Sequence, residues 1–324
     1  MVRDQLRLIQ GGLVQGGLLS DAHATTEMDF SADNFVCIKM NEATVNQPVQ
    51  RVLQLNLINA RSVVNKLPEL HSLIYGSADT DCFCFTETWL TESVADGMLD
   101  PESMFTVFRS DRQRARGGGV CLLINKHIKA VQVQLQNSPS DVDMLCIDLL
   151  FCQPYRMFVV YSPPSVSSEL VTMSSLVRCL EDNCNRLGPT LIVGDFNCPQ
   201  IDWSKMLAPA ENGNKKLLDF VVQNGFNQIV TQPTRSSNIL DVIMINDPFL
   251  FINAEVIEPF GTSDHNVVKA AFIYDTPVQS SYLCNKSATK TYFWKLGDYV
   301  SMSQYLRAYN WDYLFSTNLT VDSM

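Results

Sequence analysis

From about residue 49 onward, hydrophobic and polar positions alternate in segments typical of strands and helices. Residues 53–57 carry leucine at every second position, which predicts a strand with one buried face that ends at Asn59. Apolar positions then recur three to four residues apart over 63–75, which predicts a helix. Residues 1–48 show little periodicity, and we expect them to form a poorly ordered leader.

The same pattern continues to about residue 273. Apolar positions at helical spacing predict helices over 170–180 and 214–224. Runs rich in β-branched and aromatic residues predict further strands over 81–86, 191–193, 239–245 and 267–273, and a meander of four strands over 120–124, 130–135, 144–151 and 156–161. Strands and helices in this order favour an α/β arrangement of two sheets packed face to face, with helices outside.

The most informative stretch is LIVGDFNCP, over residues 191–199. Its continuous apolar run predicts a strand covered on both faces, and Gly194 ends it. Asp195 and Asn197 follow two residues apart, so both side chains point the same way at the carboxyl end of the strand, where α/β sheets place their chemistry. The alternative is an Asx turn of purely local purpose.

Other strand ends also carry candidate chemistry. Glu87 follows the strand over 81–86, and Tyr161 ends the strand over 156–161. Asp241 is an acid among apolar residues, which is costly unless it is paired, and His265 is the partner we expect. The alternatives are an exposed acid at Glu87 and an amphipathic rim residue at Tyr161.

Charge narrows the possible functions of this 324-residue chain. A net charge of -10 and a pI of about 4.9 argue against broad electrostatic coating of nucleic acid. A local basic patch must therefore carry any phosphate contact. The dense run of arginines just before three glycines is either a solvated loop or that patch: Arg109, Arg112, Arg114 and Arg116.

Cysteine usage and hydropathy indicate the compartment. The ten cysteines include no CxxC pair, which favours a reducing, intracellular environment and argues against a structural zinc site. No apolar run approaches the ~18 residues that would cross a bilayer, so we expect no membrane association.

Together these strand ends contain what phosphodiester hydrolysis needs: oxygen ligands for Mg²⁺, an acid to activate water, and a histidine to stabilise phosphorane charge. At this point the chain resembles the endonuclease/exonuclease/phosphatase family of exonuclease III, abasic-site endonucleases and DNase I. More narrowly, it resembles the endonuclease domain of non-LTR, Jockey-like retrotransposons of the LINE type. Seven motifs in family order carry the match: LNLINARSVVNKLPEL, FTETWL, RGGGVCLLI, VVYSPP, LIVGDFNCPQIDW, TQPTRSSNILDVIMIN and GTSDHNVV.

The resemblance implies a DNase I-like, four-layer α/β sandwich of two packed mixed β-sheets flanked by helices, over residues 49–275. It implies Mg²⁺ as cofactor, with Mn²⁺ as a substitute, bound chiefly by Glu87. The further ligands would be Asn59 and Asp264.

The resemblance also assigns catalytic roles. Asp195, helped by Asn197, would activate water. His265, oriented by Asp241, would contact the scissile phosphate, and Tyr161 would donate to a phosphate oxygen or help the leaving group.

By the same resemblance the substrate is DNA, one strand of which is nicked to leave a 3′-hydroxyl, and the compartment is the nucleus. The alternatives are hydrolysis of inositol phosphates or phospholipids, and an inactive domesticated relic that acts as an interaction module. One departure is Ser162, where such domains commonly carry an arginine that we expect to face phosphate. Residues 276–324 resemble a linker and the connector that precedes reverse transcriptase, so we expect a truncated or domesticated element.

Overall fold

The computed structural model describes residues 49–77, 79–113, 117–184 and 188–276. The predicted leader and aromatic tail lie outside these ranges. The strands are β1 (Val49–Asn59), β2 (Cys82–Thr86), β3 (Phe105–Ser110), β4 (Val120–Asn125), β5 (Ala130–Gln132), β6 (Asp143–Leu149), β7 (Tyr155–Tyr161), β8 (Thr190–Asp195), β9 (Asn227–Gln228), β10 (Asp241–Ile245), β11 (Phe251–Pro259) and β12 (Asn266–Thr276). The helices are α1 (Leu67–Gly76), α2 (Asp96–Leu99), α3 (Leu170–Asn183) and α4 (Gly213–Gln223), with 3₁₀ turns at Val64–Lys66 and Pro248–Leu250.

The strands form two six-stranded mixed sheets. Sheet one has the order β11-β12-β1-β2-β4-β3, and sheet two the order β5-β6-β7-β8-β10-β9. Each contains one parallel pair, β1 with β2 and β7 with β8, and its other neighbours are antiparallel. The predicted sandwich of two mixed sheets is therefore confirmed.

Three apolar clusters make the four layers. The first lies between the sheets, where alternate residues of β1 such as Leu55 pack in one cluster with Val193 of β8. The second joins the outer face of sheet two to α3 and α4, and the third joins the outer face of sheet one to α1. Each fully buried Leu or Val contributes roughly 1.5–3 kcal/mol. These clusters hold the sheet edges, and hence the site, in fixed positions.

Several sequence predictions need correction. The strand over 120–124 does not belong to the meander: β4 lies in sheet one between β2 and β3, whereas β5, β6 and β7 form the antiparallel run in sheet two. The reason is that β4 is buried on both faces, with Leu122 in the inter-sheet cluster and Leu123 in the outer one, as an internal strand must be. Asp241 is the first residue of β10 and not an interior one.

The helix predicted over 63–75 begins late, at Leu67, after a 3₁₀ turn. Pro68 accounts for this, since proline lacks an N–H and suits the first turn of a helix.

The topology brings the predicted site residues to one edge. The parallel strands β1 and β2, and likewise β7 and β8, end at the same side of their sheets. β10 and β12 run antiparallel to these strands, so they begin where the others end. The residues at strand ends and strand starts are thereby gathered together.

Candidate active site

Asn59 joins the two sheets at this edge. It is buried, and its Nδ2 donates to Asp195 Oδ2 at 2.8 Å and to Glu87 Oε1 at 3.3 Å. Its backbone oxygen accepts from Ser263 Oγ at 2.7 Å. One neutral side chain at the end of β1 therefore connects the carboxylates that follow β2 and end β8.

Glu87 lies in a left-handed turn directly after β2. Its φ is 50°, and its backbone oxygen accepts from the Ser62 N–H at 2.8 Å. The second carboxylate oxygen accepts from Trp89 Nε1 at 3.3 Å. Non-glycine residues seldom adopt positive φ, and they do so most often where a site needs a side chain aimed in a particular direction.

Asp195 ends β8, directly after Gly194, which is packed closely against β7. Gly194 has φ +151°, and a Cβ there would lie 1.8 Å from Val160 O, so this position admits glycine alone. The Asn197 N–H donates to Asp195 Oδ1 at 3.0 Å, while Asn197 Nδ2 donates to Ser162 O at 2.9 Å. The Asx turn considered from the sequence therefore exists, and it also orients the carboxylate.

Asp241 and His265 are in contact, as the sequence predicts. His265 Nδ1 lies 2.7 Å from Asp241 Oδ2, and both side chains are 1% exposed. Asp241 is the direct cross-strand partner of Asp195 in the pairing of β10 with β8. Ligand atoms of the two aspartates and the histidine lie within 4.8 Å of one another.

Burial and charge shift the pKa values in this cluster. Burial and the neighbouring charge of Asp241 raise the pKa of Asp195 well above its usual range, against the opposing effects of His265, Asn197 and Asn59. Burial lowers the pKa of His265, but the hydrogen bond and negative charge of Asp241, together with Asp195, outweigh burial and raise it. The arrangement favours an imidazolium beside the aspartates.

Tyr161 ends β7 beside these groups. Burial, followed by the charges of Glu87 and Asp195, raises the pKa of Tyr161 far above its ordinary value. The guanidinium of Arg112 lies over the Tyr161 ring, 5.2 Å from its centroid. The phenol thus stays protonated and is able to donate a hydrogen bond.

Arg109, a member of the predicted basic patch, is engaged within the protein. It lies in β3, and its five donors are all used, by Asp111, Asp96, Val94 O and Thr91 O. This arrangement argues against phosphate binding by Arg109, because the side chain has no donor left.

The three other members of the predicted patch are Arg112, Arg114 and Arg116. Arg112 pairs with Asp143 at 2.7 Å and contacts the site through Tyr161. Arg114 and Arg116 lie outside the described residues.

Asp264 and Ser162 are two further positions that the sequence analysis singled out. Asp264, predicted as a metal ligand, gives one oxygen to Arg61 Nη1 at 2.9 Å and the other to Arg235 Nη2 at 2.6 Å. Burial raises the pKa of Asp264, but these arginines outweigh burial and lower it. Ser162, which stands where similar domains commonly carry an arginine, is fully buried.

Sequence reasoning missed Arg61 and Arg235 as site residues. Both stand inside the motifs given above, Arg61 in NARS, two residues after the strand end Asn59, and Arg235 in the loop TQPTR. Arg235 and Asn197 line the same open cleft of about 540 Å³. The sequence signal that could have identified Arg61 is its position two residues after the candidate ligand Asn59.

The donor chemistry fits a hard divalent cation. Glu87 is half-buried, its carboxylate oxygens accept from Asn59 Nδ2 and Trp89 Nε1 at 3.3 Å, and its side chain is also hydrogen-bonded to Tyr161. Asp241 Oδ1 is buried with no hydrogen-bond partner among the described residues. Carboxylate oxygens are ligands that Mg²⁺ prefers, whereas Asn59 turns its Nδ2 toward Glu87 and Asp195 and its Oδ1 accepts from the Arg61 N–H at 3.2 Å.

Comparison with known proteins agrees with the fold. Residues 155–269 match the family model described as Endonuclease-reverse transcriptase. No protein with a curated description matches the chain. In the part of the chain that the structure describes, no helix is long and apolar enough to cross a membrane.

Three solved structures are similar over 68% of this chain. They are the endonuclease domain of TRAS1, a telomere-specific non-LTR retrotransposon (13% identity, 98% of that chain, TM-score 0.52), the 3′ phosphatase NExo from Neisseria bound to a product DNA hairpin (16%, 99%, 0.52), and an AP endonuclease from Archaeoglobus fulgidus (16%, 99%, 0.51). At these identities the likeness shows the fold.

Proposed function

Since the chain has the endonuclease/exonuclease/phosphatase fold, as its resemblance implied, we propose that it is a Mg²⁺-dependent DNA endonuclease. It nicks one strand and leaves a 3′-hydroxyl, and DNA as substrate makes the nucleus its compartment. The observation that carries the proposal is the buried set Asp195, Asp241 and His265, tied through Asn59 to Glu87. Within this set Asp195 is the base, protonated His265 is the fixed positive charge, and Glu87 is the metal ligand.

Asp195 is the base. Its two oxygens are oriented by donors from Asn197 and Asn59, and when ionised it takes a proton from the attacking water. The raised pKa makes the carboxylate a stronger proton acceptor than an ordinary aspartate. Burial also keeps its position fixed, which favours in-line attack.

His265 stabilises the charge that develops on the phosphorane. Asp241 accepts from Nδ1, which leaves Nε2 as the donor toward a non-bridging oxygen. Tyr161 stays protonated and donates a hydrogen bond to another phosphate oxygen or to the leaving group.

Glu87 would hold Mg²⁺, or Mn²⁺ in its place, with Asn59 beside it. When bound, the ion would polarise a phosphoryl oxygen and offset the charge of the scissile group. The long contacts from Asn59 and Trp89 keep the Glu87 carboxylate oriented until then.

The test is nicking of supercoiled plasmid by the full chain with Mg²⁺ or EDTA. We expect Mg²⁺-dependent open circles that DNA ligase reseals, which requires a 3′-hydroxyl beside a 5′-phosphate. Asp195→Asn and His265→Ala should lose this activity, whereas His71→Ala, at a histidine that contacts only Met98 O and Tyr75, should keep it. A folded wild-type chain that leaves plasmid intact would overturn the proposal, and inositol phosphates would be the next substrates to assay.

A further inference from the structure

Arg61 and Arg235 share the carboxylate of Asp264. Arg61 Nη1 donates to Oδ1 at 2.9 Å, and Arg235 Nη2 forms an ion pair with Oδ2 at 2.6 Å. An arginine has five donors, so each side chain keeps most of its planar fork for another acceptor. Their side chains are 47% and 39% exposed and therefore accessible to a ligand.

Two other described arginines near the site are less open to a ligand. Arg109 spends all five donors on internal acceptors, and the side chain of Arg112, paired with Asp143, is only 17% exposed. The Arg61–Asp264–Arg235 group carries two positive charges against one negative charge. In a chain of net charge -10, such a local excess is what an approaching polyanion requires.

The backbone at Arg61 is held in an uncommon conformation. Arg61 has φ 41° and Ser62 has φ 82°, both in the left-handed region. The buried ammonium of Lys66 donates to the carbonyls of Ala60, Arg61 and Ser62 at 2.6, 3.0 and 3.3 Å. Consecutive left-handed residues persist only where surrounding contacts fix them, and such positions cluster at functional sites.

Arg235 is anchored on the opposite side. The carbonyl of Thr234 accepts from the Asn266 N–H at 2.7 Å, directly after His265, and Arg235 pairs through its backbone with Asn238. Its side chain lines the cleft that also contains Asn197. The two arginines thus flank the segment that carries the imidazole.

We propose that Arg61 and Arg235, braced by Asp264, bind backbone phosphates of the DNA strand next to the scissile phosphate. Guanidinium forks bind phosphate oxygens in pairs, and two forks fixed on one carboxylate have a defined spacing. Asp264 is then a positioning residue for the arginines, in place of the metal ligand inferred from the sequence. This inference rests on the proposed nuclease function.

Salt-dependent DNA binding tests the assignment. In the full chain carrying Asp195→Asn, a fluorescent duplex is titrated at several salt concentrations. Arg61→Ala and Arg235→Ala should each weaken binding about tenfold. Each should also reduce the slope of log affinity against log salt by about 0.9.

Two further variants serve as controls. Arg61→Lys should keep the slope and recover part of the affinity, because the charge stays and the fork is lost. Arg51→Ala is the matched control, since this exposed arginine lies eight residues before Asn59 on β1, about 26 Å away. Unchanged slopes in Arg61→Ala and Arg235→Ala, from a wild type that nicks DNA, would overturn the inference and leave the function standing.

Asp264→Asn separates the two roles of this carboxylate. If Asp264 positions the two arginines, Asp264→Asn should raise KM for nicking and leave the Mg²⁺ concentration for half-maximal rate unchanged. A raised Mg²⁺ requirement would return Asp264 to the metal site and overturn the bracing role.

Pyrophosphate distinguishes failure of this site from failure of the nuclease function. Pyrophosphate without metal should raise the Tm of the wild type, and both Arg→Ala variants should lose that shift even if DNA proves not to be the substrate. A wild type that pyrophosphate does not stabilise would overturn the anion site.

Discussion

The two sheets contribute different kinds of side chain to the site. Sheet two supplies Asp195 and Asp241, both fully buried, and Tyr161. Sheet one supplies the half-buried Glu87 and the exposed Asp264. The comparison suggests a division for the proposed function: the proposed proton chemistry falls on the dry edge of sheet two, and the proposed metal binding falls on the wet edge of sheet one.

Two contacts cross this division. Asn59 of sheet one donates to Asp195, and His265, just before β12 of sheet one, contacts Asp241 of sheet two. Variants on either side of these contacts should therefore have distinct signatures: activity and pH dependence for sheet two, metal and substrate dependence for sheet one.

The largest expected effect is at Asp195. Asp195→Asn removes the base and should reduce nicking by roughly 10²–10⁴-fold. The same change should raise Tm at pH 7, because the folded protein disfavours the ionised form of a carboxyl whose pKa is raised. The gain should vanish below about pH 4, where an unfolded aspartate is also protonated. A variant that loses both activity and Tm at pH 7 would contradict this interpretation of the dry edge.

The next effect is at the crossing contact of His265. His265→Gln should cost roughly 10²–10³-fold in nicking rate, the usual effect of removing one electrostatic group. The raised pKa of His265 gives wild-type stability that is fully present below about pH 6.5 and is lost as pH rises through the folded pKa. Tm measured from pH 5 to 9 should show this decline in the wild type, and the part that His265 contributes should be missing from the variant. An equal decline in both proteins would exclude the Asp241–His265 pair as its source.

On the wet edge, Glu87→Gln should act through the metal. We expect the Mg²⁺ concentration for half-maximal nicking to rise at least about tenfold, since a neutral amide replaces an anionic ligand. The free energy of unfolding without metal should stay within about 0.5 kcal/mol of the wild type, as for a half-buried side chain with long contacts. Glu92→Gln, at an exposed glutamate in the same segment, is the matched control.

The smallest effect on nicking activity is expected at Lys66, whose ammonium binds the backbone carbonyls of residues 60–62, directly after Asn59. Lys66→Met keeps the buried stem but leaves three carbonyls without their donor, at a cost of about 1–3 kcal/mol in unfolding free energy. Denaturant unfolding measures this cost, with Lys126→Met, whose exposed ammonium binds only Ser103 O, as control. Equal losses of unfolding free energy in the two variants would show that the Lys66 ammonium stabilises the fold no more than the exposed Lys126 ammonium does.

The sequence predicts most of the dry edge because its signals are local. A run such as 191–193 stops at a glycine and is followed by acids, so both the strand and its chemical end can be recognised from neighbouring residues. The pairing of Asp241 with His265 follows from the cost of an unpaired charge among apolar residues.

The wet edge depends on contacts between distant residues, which no local pattern encodes. The resemblance implies that Asp264 is a metal ligand, but its partner Arg61 lies 203 positions away. Arg109 suggests a basic patch, yet acids and carbonyls brought by the fold satisfy it. β4 could not be assigned to its sheet for the same reason, since both its partners are set by tertiary packing.

The position of β1 between β2 and β12 has a consequence for how the chain folds during synthesis. In the described part of the chain β1 is made first, yet one of its edges pairs with the last strand, and the Ser263–Asn59 contact spans 204 residues. Until residues 266–276 leave the ribosome, that edge has no native partner and is open to aggregation. Folding that awaits such distant partners is slow. The proposed nuclease site is therefore assembled only after His265 and β12 have been made and have joined the sheet.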